Sequence, residues 1–345
     1  MARAREARDW AHTVLNRPLI GESPYTPFRG PDGEALDLDA YRSLITHIVD
    51  GLERRLLFLT SGNGEFWSLT LDERKLLLEV GIEVARGIAP DTIIQTCTSS
   101  ITVQDTVELT QHAQANGADV CYIQTPMMET HGGPGTLAFL KYVADRTDIA
   151  LGILNSPSSG YVLTPADLAL IHDAVPAVCA VKAGGMAPWH TKQTRALAPE
   201  FVVWETDPIA YAAGWLRRGL TSRVQLAASS YLFETPDNRQ VTHYWNLIWN
   251  DELTEAVDFA ASSGLEDLQM GLTAYLTTAP DRPGYFTHWG GAFKAAAAML
   301  GLPVGEYSDS RPPQQAITAD VRSGIRMVYE DSSLADELVV QSQLV

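Results

Sequence analysis

From about residue 19 to residue 235 the chain repeats one rhythm: a short, continuously apolar run, a tight polar turn, then a longer amphipathic stretch. Repeated βα units produce that rhythm, because each strand is followed by a helix that crosses back over the sheet. Strands are predicted near residues 19–23 and over 56–60, 92–96, 120–124, 150–154, 178–182, 201–205 and 224–228. The runs are apolar throughout rather than alternating, as strands covered on both faces of a parallel sheet are. Helices are predicted over 69–86, 103–116, 136–146 and 164–174. Thr70 and Glu73 have the spacing of a capping box, Gly117 suits a helix stop, and Pro165 follows the N-cap residue Thr164. About eight such units close into a barrel, so the predicted fold is α/β, a TIM (β/α)8 barrel. Beyond residue 240 the periodicity is helical only, over 241–249, 253–262, 265–277 and 293–300. The expected organisation is an N-terminal helical extension over 1–18, the barrel over 19–235, and a C-terminal helical region over 236–345 packed on it.

A hydrophobic content of 46% with 19% charged residues is that of an ordinary globular chain rather than a disordered one. Its 25 basic and 42 acidic residues give a net charge of −17, so nucleic acid and anionic membrane are not expected partners. No apolar run reaches the roughly 20 residues of a membrane span. The first 17 residues are charged and helix-prone, without a signal-peptide core, and the expected location is the cytoplasm. Cys97, Cys121 and Cys179 lie far apart in apolar runs with no CxxC pair, so they are expected as reduced core residues. The eight histidines show neither ligand-like spacing nor an HExxH, and no metal or other cofactor is expected. Gly132-Gly133-Pro134-Gly135 neither follows a strand directly nor precedes a GK[ST], and reads as a flexible loop that could serve as a lid.

Barrels of this kind carry their reactive groups at the C-terminal ends of the strands. Here those positions are Ser61-Gly62-Asn63-Gly64-Glu65, residues 96–100, Thr125-Pro126-Met127-Met128-Glu129, Leu154-Asn155-Ser156-Pro157, Lys182-Ala183-Gly184-Gly185 and Ala228-Ser229-Ser230. Of five lysines, Lys182 alone ends an apolar strand; Lys75, Lys141, Lys192 and Lys294 stand in contexts that suit a solvated surface. Low dielectric disfavours the charged form of a lysine, leaving a neutral amine that can attack a ketone and form an imine. The same spacing also fits a lysine snorkelling at the barrel rim.

The segment Gly64-Glu65-Phe66-Trp67-Ser68-Leu69-Thr70, followed by Glu73-Arg74, resembles the GE-x-x-SLT-x-x-ER signature of the dihydrodipicolinate synthase / N-acetylneuraminate lyase family. Further pieces fall in that family's order: Thr26-Pro27-Phe28, Gly117-Ala118-Asp119, Thr125-Pro126, Asn155-Ser156-Pro157, Lys182, Phe293-Lys294-Ala295-Ala296 and Arg311-Pro312-Pro313. The resemblance spans roughly residues 20 to 315. It implies a TIM barrel, a class I lyase or aldolase acting through a lysine–keto-acid imine, and a homo-oligomer, usually a tetramer built from dimers. It makes Lys182 the nucleophile.

The sequence also departs from the family. Leu154 stands where a relay tyrosine is usual before Asn-x-Pro, and Met127-Met128 stand where two tyrosines are usual after Thr-Pro. Ser61-Gly62-Asn63-Gly64 replaces a loop whose paired hydroxyls hold the keto-acid carboxylate, leaving the Asn63 amide and the backbone of Gly62 and Gly64 as donors. Ser158 and Ser159 occupy the stretch in which an arginine is usual. General acid–base help is typically worth about 10² to 10⁴ in rate, so a replacement for the tyrosine is expected if activity is kept. Glu129 and His131, with Tyr161, Ser99 and Tyr231, are the candidates near the mouth. The expected site therefore has Lys182, Asn155 and Glu129 as catalytic residues, with Gly62, Asn63, Gly64, Leu154, Met128 and Ser229 around the substrate. The two methionines suggest a pocket for something less polar than the family's usual aldehyde. The expected partners are a small 2-keto acid and an aldehyde. Hydration or dehydration of a keto acid, and a degenerate barrel that only binds one, stay open.

Overall fold

A computed structural model describes residues 4–126, 132–157, 161–184, 186–206, 209–223, 229–277, 289–312 and 314–337. Its central sheet contains, among the described residues, seven parallel strands: β1 (Gly21–Glu22), β4 (Leu56–Leu59), β5 (Ile93–Cys97), β6 (Val120–Gln124), β7 (Ala150–Asn155), β8 (Val178–Ala183) and β9 (Val202–Glu205), adjacent in that order. Strands β2 (Phe28–Arg29) and β3 (Ala35–Leu36) form a separate antiparallel pair. The strand predicted over 224–228 lies outside the described residues.

Residue parity explains why the strands are apolar throughout. Leu56 and Phe58, Ile93 and Cys97, Val120 and Tyr122, Ala150 and Leu154, Ala180, and Val202 and Trp204 join one buried cluster. The alternate residues Leu57, Leu59, Ile94, Cys121, Ile123, Leu151, Ile153, Val181 and Val203 join another, shared with the surrounding helices. Six strands meeting in one interior cluster means that the sheet curls round on itself, and the architecture is a TIM barrel with helices outside. The register slips between Leu151 and Gly152, and this brings Cys179 into the interior cluster as well.

The helix Ala7–Val14 closes the N-terminal end of the barrel. Its Ala7 and Ala11, with Leu15, belong to the same interior cluster as Leu56, Ile93, Val120 and Ala150. Arg8 fixes it there, donating to the carbonyls of Val178 (3.2 Å) and His172 and pairing with Glu200 at 2.7 Å. The C-terminal ends of the strands, where barrels of this kind carry their reactive groups, lie at the opposite end.

Several predicted elements are found with small shifts: Leu71–Ile88, Val103–Ala115 and Pro165–Ala174 among the helices, with capping boxes at Thr70–Glu73 and Thr164–Asp167. The three cysteines are buried and free. Two expectations are overturned. Gly132 to Gly135 are not a loop but the first turn of the helix Gly132–Ala144. Proline is suited to a first helical turn, and a Cβ on Gly133 would collide with Asp167 of the neighbouring helix. Lys294 is not a solvated lysine; it is fully buried in the helix Trp289–Met299. Its Nζ donates to Glu65 Oε1 at 2.8 Å and to the Asp309 carbonyl at 2.9 Å, over the face of Phe28.

Lys294 is one joint of a wider staple. Arg311 donates to both oxygens of Glu73 at 2.8 Å, and its backbone N–H reaches Glu65 Oε2 at 3.3 Å. A glycine at 290 is required because a side chain there would run into the Glu65 carboxylate. Glu65, Glu73, Lys294 and Arg311 of these motifs thus lock the C-terminal region onto the loop and the helix that follow β4. That C-terminal region contains the four predicted helices, as Gln240–Trp249, Leu253–Ser262, Leu265–Thr277 and Trp289–Met299, and one that was not predicted, Ala319–Glu330. Gly324 lies in the middle of that fifth helix, which weakens the helical signal. The glycine is needed because a Cβ would strike the Tyr275 ring.

Candidate active site

Lys182 is an inward-facing residue of β8, two positions after Ala180, and the only residue of the strand that is not fully buried. The strand runs one residue further than predicted, to Ala183. In the ladder Lys182 is paired with Leu154 of β7 on one side and Trp204 of β9 on the other. Its Nζ lies 5.6 Å from the centre of the Phe58 ring. Burial pushes its ammonium down from the ordinary 10.5 to about 8, against a smaller opposing effect of Cys97. That change raises the ratio of neutral to charged amine about 300-fold at a given pH. A lysine desolvated between aromatic and aliphatic walls has the neutral amine that attack on a carbonyl carbon requires.

Around it the other expected residues are placed as follows. Leu154 is buried in the barrel interior beside Lys182. Asn155 points away from the interior: its Nδ2 donates to the Leu163 carbonyl (3.0 Å) and its Oδ1 accepts from the Leu163 N–H (2.9 Å). It ties the loop after β7 shut, so it shapes the site through backbone rather than through a free amide. Asn63 is likewise engaged, donating to the Ser23 carbonyl and accepting from the Trp289 indole, each at 3.3 Å. The carbonyls of Gly62 and Gly64 accept from the Glu65 N–H (3.0 Å) and the Thr26 hydroxyl (2.7 Å). Ser229 is half-buried and accepts from the Leu232 N–H at 3.0 Å, next to Ser230, which binds Glu22. Glu129, Met128, Met127 and His131 lie outside the described residues, as do Ser158 and Ser159.

The candidate replacement hydroxyls are committed elsewhere. Tyr161 donates to Asp167 (3.0 Å), Tyr231 to the Ser23 carbonyl (3.0 Å), and Ser99 accepts from the Gln124 N–H at 2.8 Å. Thr60, in the left-handed region at φ 46°, shares a 2.8 Å bond with Thr96 at the adjoining strand ends. For a β-branched residue that φ is an outlier, held here by its bonds to Thr96 and the Cys97 carbonyl. Sequence reading passed over Phe58, Gln95, Tyr122 and Trp204. The available signal was parity, since Gln95 and Tyr122 fall on inward positions of otherwise apolar strands. Among the described residues no group of three acidic, histidine or cysteine side chains is arranged to hold a metal ion.

A model of the dihydrodipicolinate synthetase family matches residues 20–227. The chain belongs to the dihydrodipicolinate synthetase family. Relatives within it include the 4-hydroxy-tetrahydrodipicolinate synthases of Thermotoga neapolitana, 30% identical over 54% of this chain and 62% of that protein, and of Brucella abortus biovar 1, 32% identical over 51% and 59%. The chain thus spans about three-fifths of the length of these curated relatives. Two solved structures share the fold. The 4-hydroxy-tetrahydrodipicolinate synthase of Methylacidiphilum fumariolicum SolV has a TM-score of 0.75 at 19% identity, over 93% of this chain and 98% of that one. The family protein YagE of E. coli K12, solved in complex with pyruvate, also has a TM-score of 0.75 at 19% identity, over 91% and 97%. Lyase and aldolase chemistry is thereby the function class of the dihydrodipicolinate synthetase family to which the chain belongs.

Proposed function

We propose that the protein forms an imine between Lys182 and a 2-keto acid, and uses it to make or break a carbon–carbon bond with an aldehyde. The observation that carries this reading is Lys182 itself, a strand-end lysine facing the barrel interior whose burial leaves it largely neutral slightly above physiological pH. An iminium nitrogen withdraws electrons from the adjacent carbon, which is what both aldol cleavage and dehydration of a keto acid need. The apolar walls formed by Leu154, Phe58 and Trp204 support an aldehyde partner different from that of the 4-hydroxy-tetrahydrodipicolinate synthases. The same reading makes the protein a cytoplasmic homo-oligomer, dimer or tetramer, that works without a cofactor. It agrees with the finding that no helix among the described residues is long and apolar enough to cross a membrane.

The test is to incubate the protein with pyruvate or 2-oxobutyrate, reduce with borohydride and weigh it. A mass gain in the wild type that is absent from Lys182→Ala is expected. Failure to trap either keto acid on the wild type would overturn the proposal. Leu154, which brings no hydroxyl to the side of Lys182, favours a second reading: a barrel that binds the keto acid as an imine without turnover. Under it the adduct forms, but no aldehyde in a panel is consumed.

A further inference from the structure

Making an imine requires an acid. The carbinolamine formed when an amine adds to a ketone loses its hydroxyl only if a proton is delivered to that oxygen. The residues paired with Lys182, Leu154 and Trp204, and the ring beneath it, Phe58, carry no such acid. The hydroxyls of Thr60, Ser99, Tyr161 and Tyr231 are all in hydrogen bonds already described.

One phenol inside the barrel is not. Tyr122 comes from β6, Lys182 from β8 and Phe58 from β4; alternate strands of a barrel contribute to one layer of its interior. The Tyr122 ring packs 5.1 Å from the Phe58 ring whose face Lys182 also meets. It reaches inward across Gly152, where an added Cβ would lie 2.6 Å from the ring carbons, so the glycine at 152 is what admits the ring. Gln95 and the Trp204 indole face the Tyr122 hydroxyl closely enough to oppose the effect of burial on it, yet the Tyr122 oxygen, the Gln95 Nε2 and the Trp204 Nε1 make no hydrogen bond. All three side chains are at most 1% exposed. Three buried polar atoms that face one another without completing a hydrogen bond, in the interior that also carries Lys182, call for a reason.

We propose that Tyr122 is the acid–base group for the imine on Lys182, with Gln95 and Trp204 as positioning residues for its hydroxyl. The inference rests on the imine reading above. In the forward step the phenol proton passes to the carbinolamine oxygen, the C–O bond breaks, and the nitrogen lone pair forms the C=N bond, releasing water and leaving an iminium and a phenolate. The phenolate then takes a proton from the carbon next to the iminium. The electrons of that C–H bond form the enamine, and the phenol returns to its starting state. Burial holds the phenol well above its ordinary range, so it starts protonated, as the first step needs.

The experiment follows the rate of borohydride-trapped pyruvate on the full chain. Tyr122→Phe is expected to slow adduct formation by about 10²-fold or more, to leave the final extent at saturating pyruvate unchanged, and to slow exchange of the pyruvate methyl protons into D2O. Adding Leu154→Tyr to Tyr122→Phe, which sets a phenol on the neighbouring strand beside Lys182, is expected to restore part of the rate. A lost hydroxyl that only served packing would not be rescued this way. A Tyr122→Phe protein that traps pyruvate as fast as the wild type overturns the proposal and leaves the imine reading standing, whereas a wild type that traps nothing defeats the imine reading first. If Tyr122→Phe does not fold, Trp204→Phe keeps the phenol and removes one positioning donor. A several-fold slowing with unchanged extent is then expected, and an unchanged rate would overturn the proposal.

Discussion

Lys182 stands near the end of its strand at an inward position, flanked by Leu154 and Trp204 in the ladder, where burial lowers its pKa to about 8. Under the imine proposal it is the neutral amine that attacks, so the initial rate of pyruvate trapping is expected to climb from about pH 6 and flatten slightly above pH 8. A rate still rising steeply at about pH 10 would mean an ordinary lysine. A second titrating residue acts on stability. Glu22 is buried with Arg54 (3.0 Å) and Ser230, and burial raises its carboxyl from 4.5 to about 8 despite the arginine. A folded-state pKa above the unfolded one means that the folded chain holds the proton more tightly. Stability from this group is therefore full below pH 4.5 and is lost as pH rises toward 8. Thermal unfolding midpoints are expected to fall between about pH 5 and pH 8, and to fall less in Glu22→Gln; an equal fall in the variant would rule Glu22 out.

Between elements, the decisive contacts are ionic and buried. Lys294 on the helix Trp289–Met299 meets Glu65 on the loop after β4 with both side chains fully buried. Breaking one partner strands the other, which typically costs about 3–5 kcal/mol, while replacing both with apolar groups of similar size is far milder. Urea titration of Lys294→Met is thus expected to show a large loss of stability, and Lys294→Met with Glu65→Leu a smaller one. A double variant at least as unstable as the single would contradict the staple. Both residues lie in stretches that resemble the family's motifs, while the local context of Lys294 suits a solvated surface. Nothing local in Phe293-Lys294-Ala295 discloses a carboxylate more than two hundred residues away. Glu73 and Arg311 are the same case, since their bidentate pair joins the helix Leu71–Ile88 to a segment more than two hundred residues later.

Across the whole molecule, the barrel is covered at the N-terminal end of its strands. The helix Ala7–Val14 supplies Ala7 and Ala11 to the interior cluster, and Arg8 ties it to the strand and helix ends around it. Removing residues 4–16 is expected to lower the thermal midpoint and to raise binding of a dye for exposed apolar surface, because Leu56, Ile93 and Val120 lose their cover. An unchanged midpoint would mean that the helix only rests on the barrel. The barrel rhythm, the helix caps and the strand-end position of Lys182 were legible in the chain because each depends on residues within a few positions of one another. Whether Asn63 and Asn155 offer free amides was not legible; Asn63 proves to be tied to Ser23 and Trp289, far off in the chain, and Asn155 to the Leu163 backbone across its own loop. By itself, then, the sequence determined the βα order, the continuously apolar strands and a lysine at the end of one of them, all set by residues close together in the chain. Only the tertiary structure decided which face of each strand looks inward, and so set Tyr122, Gln95 and Trp204 in the barrel that holds Lys182, because curling the sheet joins residues that no spacing along the chain connects.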